Sequence, residues 1–270
     1  MKATVLIDNL TQGTLLPEWG LSIYIEYEGH KILLDTGASD KFARNASKLG
    51  IDLSNVEFGV LSHAHYDHAD GMSVFFENNA KASFYLREGT QGNCYGKRWI
   101  FHKYIGIQKK ILKDYRDRII YVSADQEVIS GVRLLPHHTK GLEQFGKKNF
   151  LYVKKGIRYF PDSFEHEQSL VFETGKGLVI FNSCSHGGAD NIIQEVTAAY
   201  PGRRIYALIG GFHLYHSTEE EIRALADRIR QTGIQKIYTG HCTGQPAYDI
   251  LKEQLGEQAE QLKTGMEILV

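Results

Sequence analysis

The stretch Leu61-Ser-His-Ala-His-Tyr-Asp-His-Ala-Asp-Gly-Met72 places three histidines and two aspartates within twelve residues. It directly follows Phe58-Gly-Val-Leu61, an apolar run typical of a short buried strand. Ionisable side chains beside a buried strand cost free energy unless they are paired or bind a metal. The stretch therefore predicts a metal site at the end of this strand.

The spacing of the four central side chains indicates two metal ions. His63 and His65 are two residues apart, so they face the same way in an extended segment and can bind one ion. Asp67 and His68 follow once the chain bends, and they can reach a second ion beside the first. Neutral imidazole and carboxylate suit Zn²⁺, Fe²⁺ or Mn²⁺.

Further ligands are expected at other strand ends. The candidates are His186 in Ser-Cys-Ser-His-Gly-Gly, His213 in Gly-Gly-Phe-His and His241 in Gly-His-Cys-Thr-Gly. Each follows a β-rich run, and the neighbouring glycines let the backbone crowd a site. Taken alone, His213 and His241 are interpreted as solvated loop residues, so their place in the site depends on the cluster at 63–68.

Other histidines lack this context and are expected at the surface: His30, His102, His166 and His216. The pair His137-His138 follows a strand, and a surface position is favoured over one lining the site. Cys184 and Cys242 stand close to candidate ligands, but spacing alone does not make them ligands. Three cysteines argue against a disulfide framework.

The composition of the chain disfavours a nucleic-acid-binding or membrane protein. The formal net charge is −1 with acidic and basic residues mixed, which disfavours a nucleic-acid partner. No run of 18 apolar residues is present, and Asp8 comes too early for a secretory signal, so we expect a cytoplasmic protein without a membrane partner. The oligomeric state is left open.

The predicted order of secondary-structure elements is the same in the two halves of the chain. Each half of the chain gives a hairpin, a helix and a buried strand: Leu21–Gly37, Asp40–Leu49 and Val56–Leu61, then Ser169–Asn182, a helix capped by Asp190, and Ile205–Ile209. Ser217 and Glu220 predict a capping box for the next helix. The pattern predicts one domain over 1–270, with two halves packed as a sandwich. Residues 89–118 are either an insertion over the site or, as favoured, a partly helical surface excursion whose aromatics pack on the core.

The motif His63-Ala-His-Tyr-Asp-His68 resembles the H-x-H-x-D-H signature of the metallo-β-lactamase fold superfamily. Asp35 in Leu-Leu-Asp-Thr-Gly resembles its first motif, His186 its third and His241 its last. The resemblance runs from about Thr4 to the C-terminus. It implies an α/β fold of αββα type, a four-layer sandwich of two mixed sheets flanked by helices.

The resemblance also implies a ligand set for two divalent metal ions, with zinc favoured and manganese or iron as alternatives. The first ion would be bound by His63, His65 and His186. The second would be bound by Asp67, His68 and His241. Asp35 would orient a ligand through hydrogen bonds.

One departure points to a narrower group. Many members carry a bridging aspartate where this chain reads Gly210-Gly-Phe-His213-Leu. His213 would then bind metal or contact substrate, and Glu167 is a less favoured substitute carboxylate. With Cys-Ser-His-Gly and Gly-His-Cys-Thr-Gly, this segment resembles the synthases of 7,8-dihydropterin-6-methyl-4-(β-D-ribofuranosyl)-aminobenzene-5′-phosphate. That implies carbon–carbon bond formation between a dihydropterin methyl diphosphate and an aryl ribotide, with release of pyrophosphate.

Two reactions are compatible with such a site, both on a small anionic or phosphorylated substrate. In hydrolysis, a metal-activated water attacks while Asp67 holds it and passes on a proton. In the synthase reaction, the metals stabilise the departing diphosphate. His213 would hydrogen-bond the leaving oxygen in either reaction, so Asp67 and His213 are the candidate catalytic residues. A non-catalytic ligand sensor on the same fold is the remaining alternative.

Overall fold

A computed structural model describes residues 1–90 and 93–270. The strands are β1 Lys2–Ile7, β2 Ser22–Tyr27, β3 His30–Leu34, β4 Phe58–Val60, β5 Ser83–Arg87, β6 Cys94–Arg98, β7 Phe101–Tyr104, β8 Ile119–Val122, β9 Gln126–Ile129, β10 Val132–Pro136, β11 Leu151–Lys155, β12 Arg158–Pro161, β13 Gln168–Thr174, β14 Gly177–Phe181, β15 Ile205–Ile209, β16 Lys236–Thr239, β17 Ala259–Gln261 and β18 Glu267–Leu269. The helices are α1 Lys41–Lys48, α2 Tyr66–Ala69, α3 Met72–Asn78, α4 Lys109–Asp114, α5 Glu143–Lys148, α6 Ala189–Ala199, α7 Glu219–Gln231 and α8 Gln245–Leu255. Positions 91 and 92 of the predicted insertion lie outside the described residues.

Two seven-stranded mixed sheets form the centre of the fold, in the orders β18-β1-β2-β3-β4-β5-β8 and β17-β16-β15-β14-β13-β10-β9. An apolar cluster joins them, with Ile25 of one sheet and Phe172 of the other fully buried in it. A second cluster packs α6, α7 and α8 on one outer face, and a third packs α1 and α3 on the other. The order helix, sheet, sheet, helix confirms the predicted αββα fold.

Parallel strands bring the candidate residues to one edge. Strands β3, β4 and β5 run parallel, as do β14, β15 and β16. Strand β15 is nearly all buried, as expected for a strand covered on both faces. Loops that follow the carboxyl ends of such strands meet at the same edge, where α/β sheets place their sites.

The region 89–118 differs from the favoured expectation. Strands β6 and β7 join β11 and β12 in a separate four-stranded sheet, ordered β12-β11-β6-β7. Among the described residues of this region, only α4 is an α-helix. Trp99 and Phe101 are 86% and 73% exposed, so these aromatics do not pack on the core. A bridge between His65 and Gly106 joins the end of this segment to the candidate site.

Two predicted helix starts also need correction. The capping box of α7 is formed by Thr218 and Glu221, one residue later than predicted, because the backbone N–H of Ser217 donates to Leu214 O in the preceding turn. Asp190 lies in the first turn of α6 rather than at its cap, and it pairs with Arg228 at 2.6 Å. Within the described residues, no helix has the length and apolar character that a membrane span requires.

Candidate metal centre

Three predicted ligands form one buried group. The ring centroids of His63, His65 and His186 lie 4.7, 4.8 and 4.9 Å apart. Nε2 of His63, Nε2 of His65 and both ring nitrogens of His186 are buried without a hydrogen-bond partner among the described residues. Burial lowers the pKa of all three rings, that of His65 to about 3, so they are neutral and can ligate. Such unpartnered nitrogens in the interior fit a divalent metal ion.

The other three predicted ligands form a second group beside the first. His68 Nε2 lies 3.2 Å from His241 Nε2, and Asp67 Oδ2 lies 3.8 and 3.5 Å from these two nitrogens. Burial by itself raises the pKa of the Asp67 carboxyl, but the nearby His68 and His241 rings outweigh it and hold that pKa below its usual range. Asp67 is therefore an anion placed to bind a cation.

Asp35 lies beneath both groups, fully buried. Its Oδ1 accepts from the backbone N–H of Ser62 at 2.7 Å, and its Oδ2 accepts from Ser62 Oγ at 2.6 Å and from His68 Nδ1 at 2.8 Å. Ser62 Oγ is also 2.8 Å from His63 Nδ1. Asp35 thus fixes the orientation of one histidine directly and of another through a serine.

Two residues that were not predicted from the sequence hold His241. Asp8 Oδ2 accepts from the His241 backbone N–H at 3.0 Å, and Asn9 Oδ1 faces His241 Nδ1 at 3.1 Å. Burial raises the pKa of the Asp8 carboxyl to about 6. Both follow β1 in an Ile-Asp-Asn segment, and a polar pair directly after a buried strand was the available signal.

A buried carboxylate network holds the backbone at His186. Glu167 Oε1 accepts from the His186 N–H at 3.1 Å, and Oε2 accepts from the Gly187 N–H at 3.2 Å and from His137 Nε2 at 2.5 Å. His137 Nδ1 donates in turn to Glu195 at 3.0 Å. Glu167 therefore binds backbone N–H groups rather than replacing the missing carboxylate ligand. The expectation for His137 was wrong because its ring is buried between two carboxylates, whereas His138 is exposed.

The expectation that His166 lies at the surface was also wrong. Its ring is buried, Nδ1 accepts from the Ala64 N–H at 3.2 Å, and Nε2 donates to Asp162 at 3.0 Å. This pair fixes the backbone between His63 and His65. The side chain of His30 is 41% exposed, His216 is exposed, and His102 stacks on Tyr159 at 3.8 Å.

His213 stands between the histidine group and two cavities. Its ring centroid is 4.4 Å from that of His186, and its Nδ1 has no hydrogen-bond partner among the described residues. A cavity of about 130 Å³ is lined by Trp19, Tyr66 and four of the six ligand candidates, which are His65, Asp67, His186 and His241. A larger cavity of about 430 Å³ also contacts His186 and His213 and includes Lys148 and Arg228. A bound molecule can therefore extend from the histidine group past His213.

A sequence profile described as the metallo-beta-lactamase superfamily matches residues 19–144. The sandwich, the two ligand groups and a relative that is 30% identical over nearly the whole chain agree with it. The chain belongs to the metallo-β-lactamase superfamily.

The chain is similar to several particular proteins. The 7,8-dihydropterin-6-methyl-4-(beta-D-ribofuranosyl)-aminobenzene-5′-phosphate synthase of Methanocaldococcus jannaschii is 30% identical, over 92% of this chain and 90% of its own. A crystal structure described as a metal-dependent hydrolase of the β-lactamase superfamily is 30% identical, has a TM-score of 0.86, and covers 100% of this chain and 99% of its own. A diphosphatase from the PhnP family is 15% identical with a TM-score of 0.55, covers 100% of this chain and 97% of its own, and shows the fold alone.

Proposed function

We propose that this protein is a metal-dependent enzyme that joins a dihydropterin methyl carbon to an aryl ribotide and releases pyrophosphate. The similarity to the archaeal synthase, 30% identity over 92% of this chain, carries the proposal. It is supported by six buried ligand candidates arranged in two adjoining groups.

The residues have separate roles in this proposal. His63, His65 and His186 would hold one divalent ion, and Asp67, His68 and His241 a second. Zinc is the favoured metal because histidine predominates, with manganese or iron as alternatives. The ions would supply positive charge against the negative charge that develops on the departing diphosphate.

Side chains around the cavities support a flat, anionic substrate. Trp19 and Tyr66 are 45% and 40% exposed at the smaller cavity, and aromatic faces of this kind stack on planar rings. Lys148 and Arg228 line the larger cavity, each already paired with a carboxylate that a phosphate group would have to displace. His213, between the cavities, would donate a hydrogen bond to the leaving oxygen.

The net charge of the chain distinguishes between two kinds of binding partner. A formal net charge of −1 favours a small substrate over nucleic acid, which is usually met by a strongly basic face. The cytoplasmic location and the lack of a membrane partner remain predictions from the sequence.

Hydrolysis is the second candidate, favoured by the similarity to the crystal structure described as a metal-dependent hydrolase. In that reaction Asp67 would orient the attacking water and accept its proton, since its carboxylate is ionised and faces both second-group histidines. A non-catalytic sensor would bind the same ligands without turnover.

The test offers dihydropterin methyl diphosphate to protein loaded with Zn²⁺, Mn²⁺ or Fe²⁺. Pyrophosphate is measured with and without the aryl ribotide. Release that needs the ribotide supports the synthase, and release without it supports the hydrolase. No release with either would refute both reactions on this substrate. His63→Ala should abolish release, whereas His30→Ala, at an exposed histidine paired with Glu57, should not.

A further inference from the structure

Cys184 is a buried thiol that the ligand set leaves unused. It lies between β14 and α6, two residues before His186, and is 2% exposed. Its Sγ is 3.3 Å from His68 Nε2. Sγ also lies within 4.8 Å of ligand atoms of both groups, those of His63 and His68 and those of His186 and His213.

Two histidine nitrogens and a carboxylate face the space beside Cys184. His68 Nδ1 donates to the Asp35 carboxylate, so its Nε2 carries a lone pair. His241 Nδ1 faces Asn9 Oδ1, which also accepts from the Gly20 N–H, so the Nε2 of His241 is the ring nitrogen turned towards His68 and Asp67. These two Nε2 atoms are 3.2 Å apart. A cation in this space would face both nitrogens and the Asp67 carboxylate.

Four of the six distances between these ligand atoms lie near those of one four-coordinate ion. Ligand atoms bound to tetrahedral zinc at its usual bond lengths lie about 3.3–3.6 Å from one another. Here His68 Nε2 is 3.2 Å from His241 Nε2 and 3.3 Å from Cys184 Sγ, and Asp67 Oδ2 is 3.5 and 3.8 Å from the two nitrogens. Three ligands from nitrogen and oxygen leave one tetrahedral position, and the sulfur stands beside them.

The end of β15 explains why sulfur would take the place of a carboxylate. A Cβ at Gly210 would lie 1.9 Å from Asn182 O, and a Cβ at Gly211 would lie 2.5 Å from Cys242 Sγ. The chain therefore has no room for a side chain at Gly210 or Gly211, in the segment that by resemblance stands in place of the bridging aspartate. The neighbouring loop supplies Cys184 instead.

The second thiol is less suited to the role. Cys242 Sγ accepts from the His213 N–H at 3.3 Å and lies 3.8 Å from Cys184 O. The 3.3 Å contact with His68 Nε2 is made by Cys184 and not by this sulfur. Cys242 is accordingly the matched control, because it is equally buried and sits beside the same histidines.

We propose that Cys184 is a thiolate ligand of the second metal ion, completing a set with Asp67, His68 and His241. On binding, the thiol proton leaves to solvent and the sulfur forms one coordinate bond to the ion, with no change of oxidation state. This inference rests on the metal centre of the proposed function and is independent of which reaction occurs there.

The test uses the full-length protein, stripped of metal and titrated with Co²⁺. The wild type should show a near-ultraviolet sulfur-to-cobalt charge-transfer band that grows with the second equivalent. Cys184→Ala should lose the band and bind the second equivalent at least about tenfold more weakly. Cys184→Asp should recover the affinity without the band, and Cys242→Ala should keep both.

Each contrary result has its own meaning. Two bound cobalt ions without the band would overturn the role of Cys184 and leave the metal centre intact. A band lost in Cys242→Ala but kept in Cys184→Ala would assign the sulfur to Cys242 and also overturn it. Failure to bind cobalt would overturn the metal centre itself. X-ray absorption of the wild-type zinc protein, which should show sulfur at about 2.3 Å, tests the ligand even where a variant fails to fold.

Discussion

Replacing Asp35 with asparagine should weaken the second metal site without unfolding the protein. The Asp35 carboxylate accepts three hydrogen bonds, from Ser62 N, Ser62 Oγ and His68 Nδ1. Asparagine keeps one oxygen for the Ser62 N–H but presents an NH₂ group to His68. That group favours the tautomer with a proton on His68 Nε2, the nitrogen that faces His241 and Asp67.

The expected loss of metal affinity follows from the hydrogen bond by which Asp35 orients His68. Losing a carboxylate that orients a ligating histidine typically costs about 10–100-fold in metal affinity, or roughly 1.4–2.7 kcal/mol. The first group should be affected less, because Asp35 reaches His63 only through the hydroxyl of Ser62. The loss should therefore concentrate in the second equivalent of metal.

The assay is competition of Zn²⁺ against a chromogenic chelator, with both affinities fitted separately. Asp52→Asn is the matched control, since Asp52 is exposed and caps only the short turn at Ser54. Ser62→Ala should instead weaken the first equivalent, through His63. A second-site affinity in Asp35→Asn within about twofold of the wild type, or an equal loss in Asp52→Asn, would refute the assigned tautomer.

Three further predictions concern His213, His137 and the bound metal. His213→Ala should cut turnover far more than metal content, measured by steady-state rates beside elemental analysis, and equal losses would make His213 a ligand. The pKa of His137 is raised to about 9 because the hydrogen bonds and charges of Glu167 and Glu195 outweigh the effect of its burial. The contribution of this ring to the free energy of unfolding is therefore full below about pH 6.5 and is lost as pH rises through 9. The stability gap between wild type and His137→Gln, on the order of 3 kcal/mol in denaturant titrations, should close over that range, and a gap independent of pH would contradict it. Removing metal with a chelator should lower the melting temperature by about 5–10 °C in calorimetry, for a free metal concentration of roughly 100 times the dissociation constant. Restoring the metal should reverse this loss.

The sequence could reveal the ligands because their pattern is local. His63 to His68 lie within six residues, and their spacing alone indicates chemistry that a surface loop would not need. His186 and His241 follow apolar runs, so their place at the sheet edge could be predicted from strand order. The structure brings all of them together, with their ring nitrogens facing one another.

Which residue holds which ligand could not be predicted in this way. Asn9 contacts His241 across 232 positions of sequence, and His166 contacts Ala64 across 102. No periodicity encodes such a contact, because it depends on how the two sheets pack. His166 was expected at the surface because it lacks the context of the ligand candidates, yet its ring is buried, and the neighbouring Glu167 faces inward to hold the His186 loop.

The backbone at the site shows what this arrangement costs. Asp35, Ser185, His213 and His241 all adopt positive φ, between 44° and 55°, in the loops that follow β3, β14, β15 and β16. A residue with a Cβ in this region costs roughly 1–2 kcal/mol, and glycine would avoid it. At Asp35, His213 and His241 glycine would remove the very side chain that the site uses. The sharp reversal at each strand end turns four separate loops, one from the first sheet and three from the second, towards the metal centre. The stability supplied by the two buried sheets sustains the local strain there.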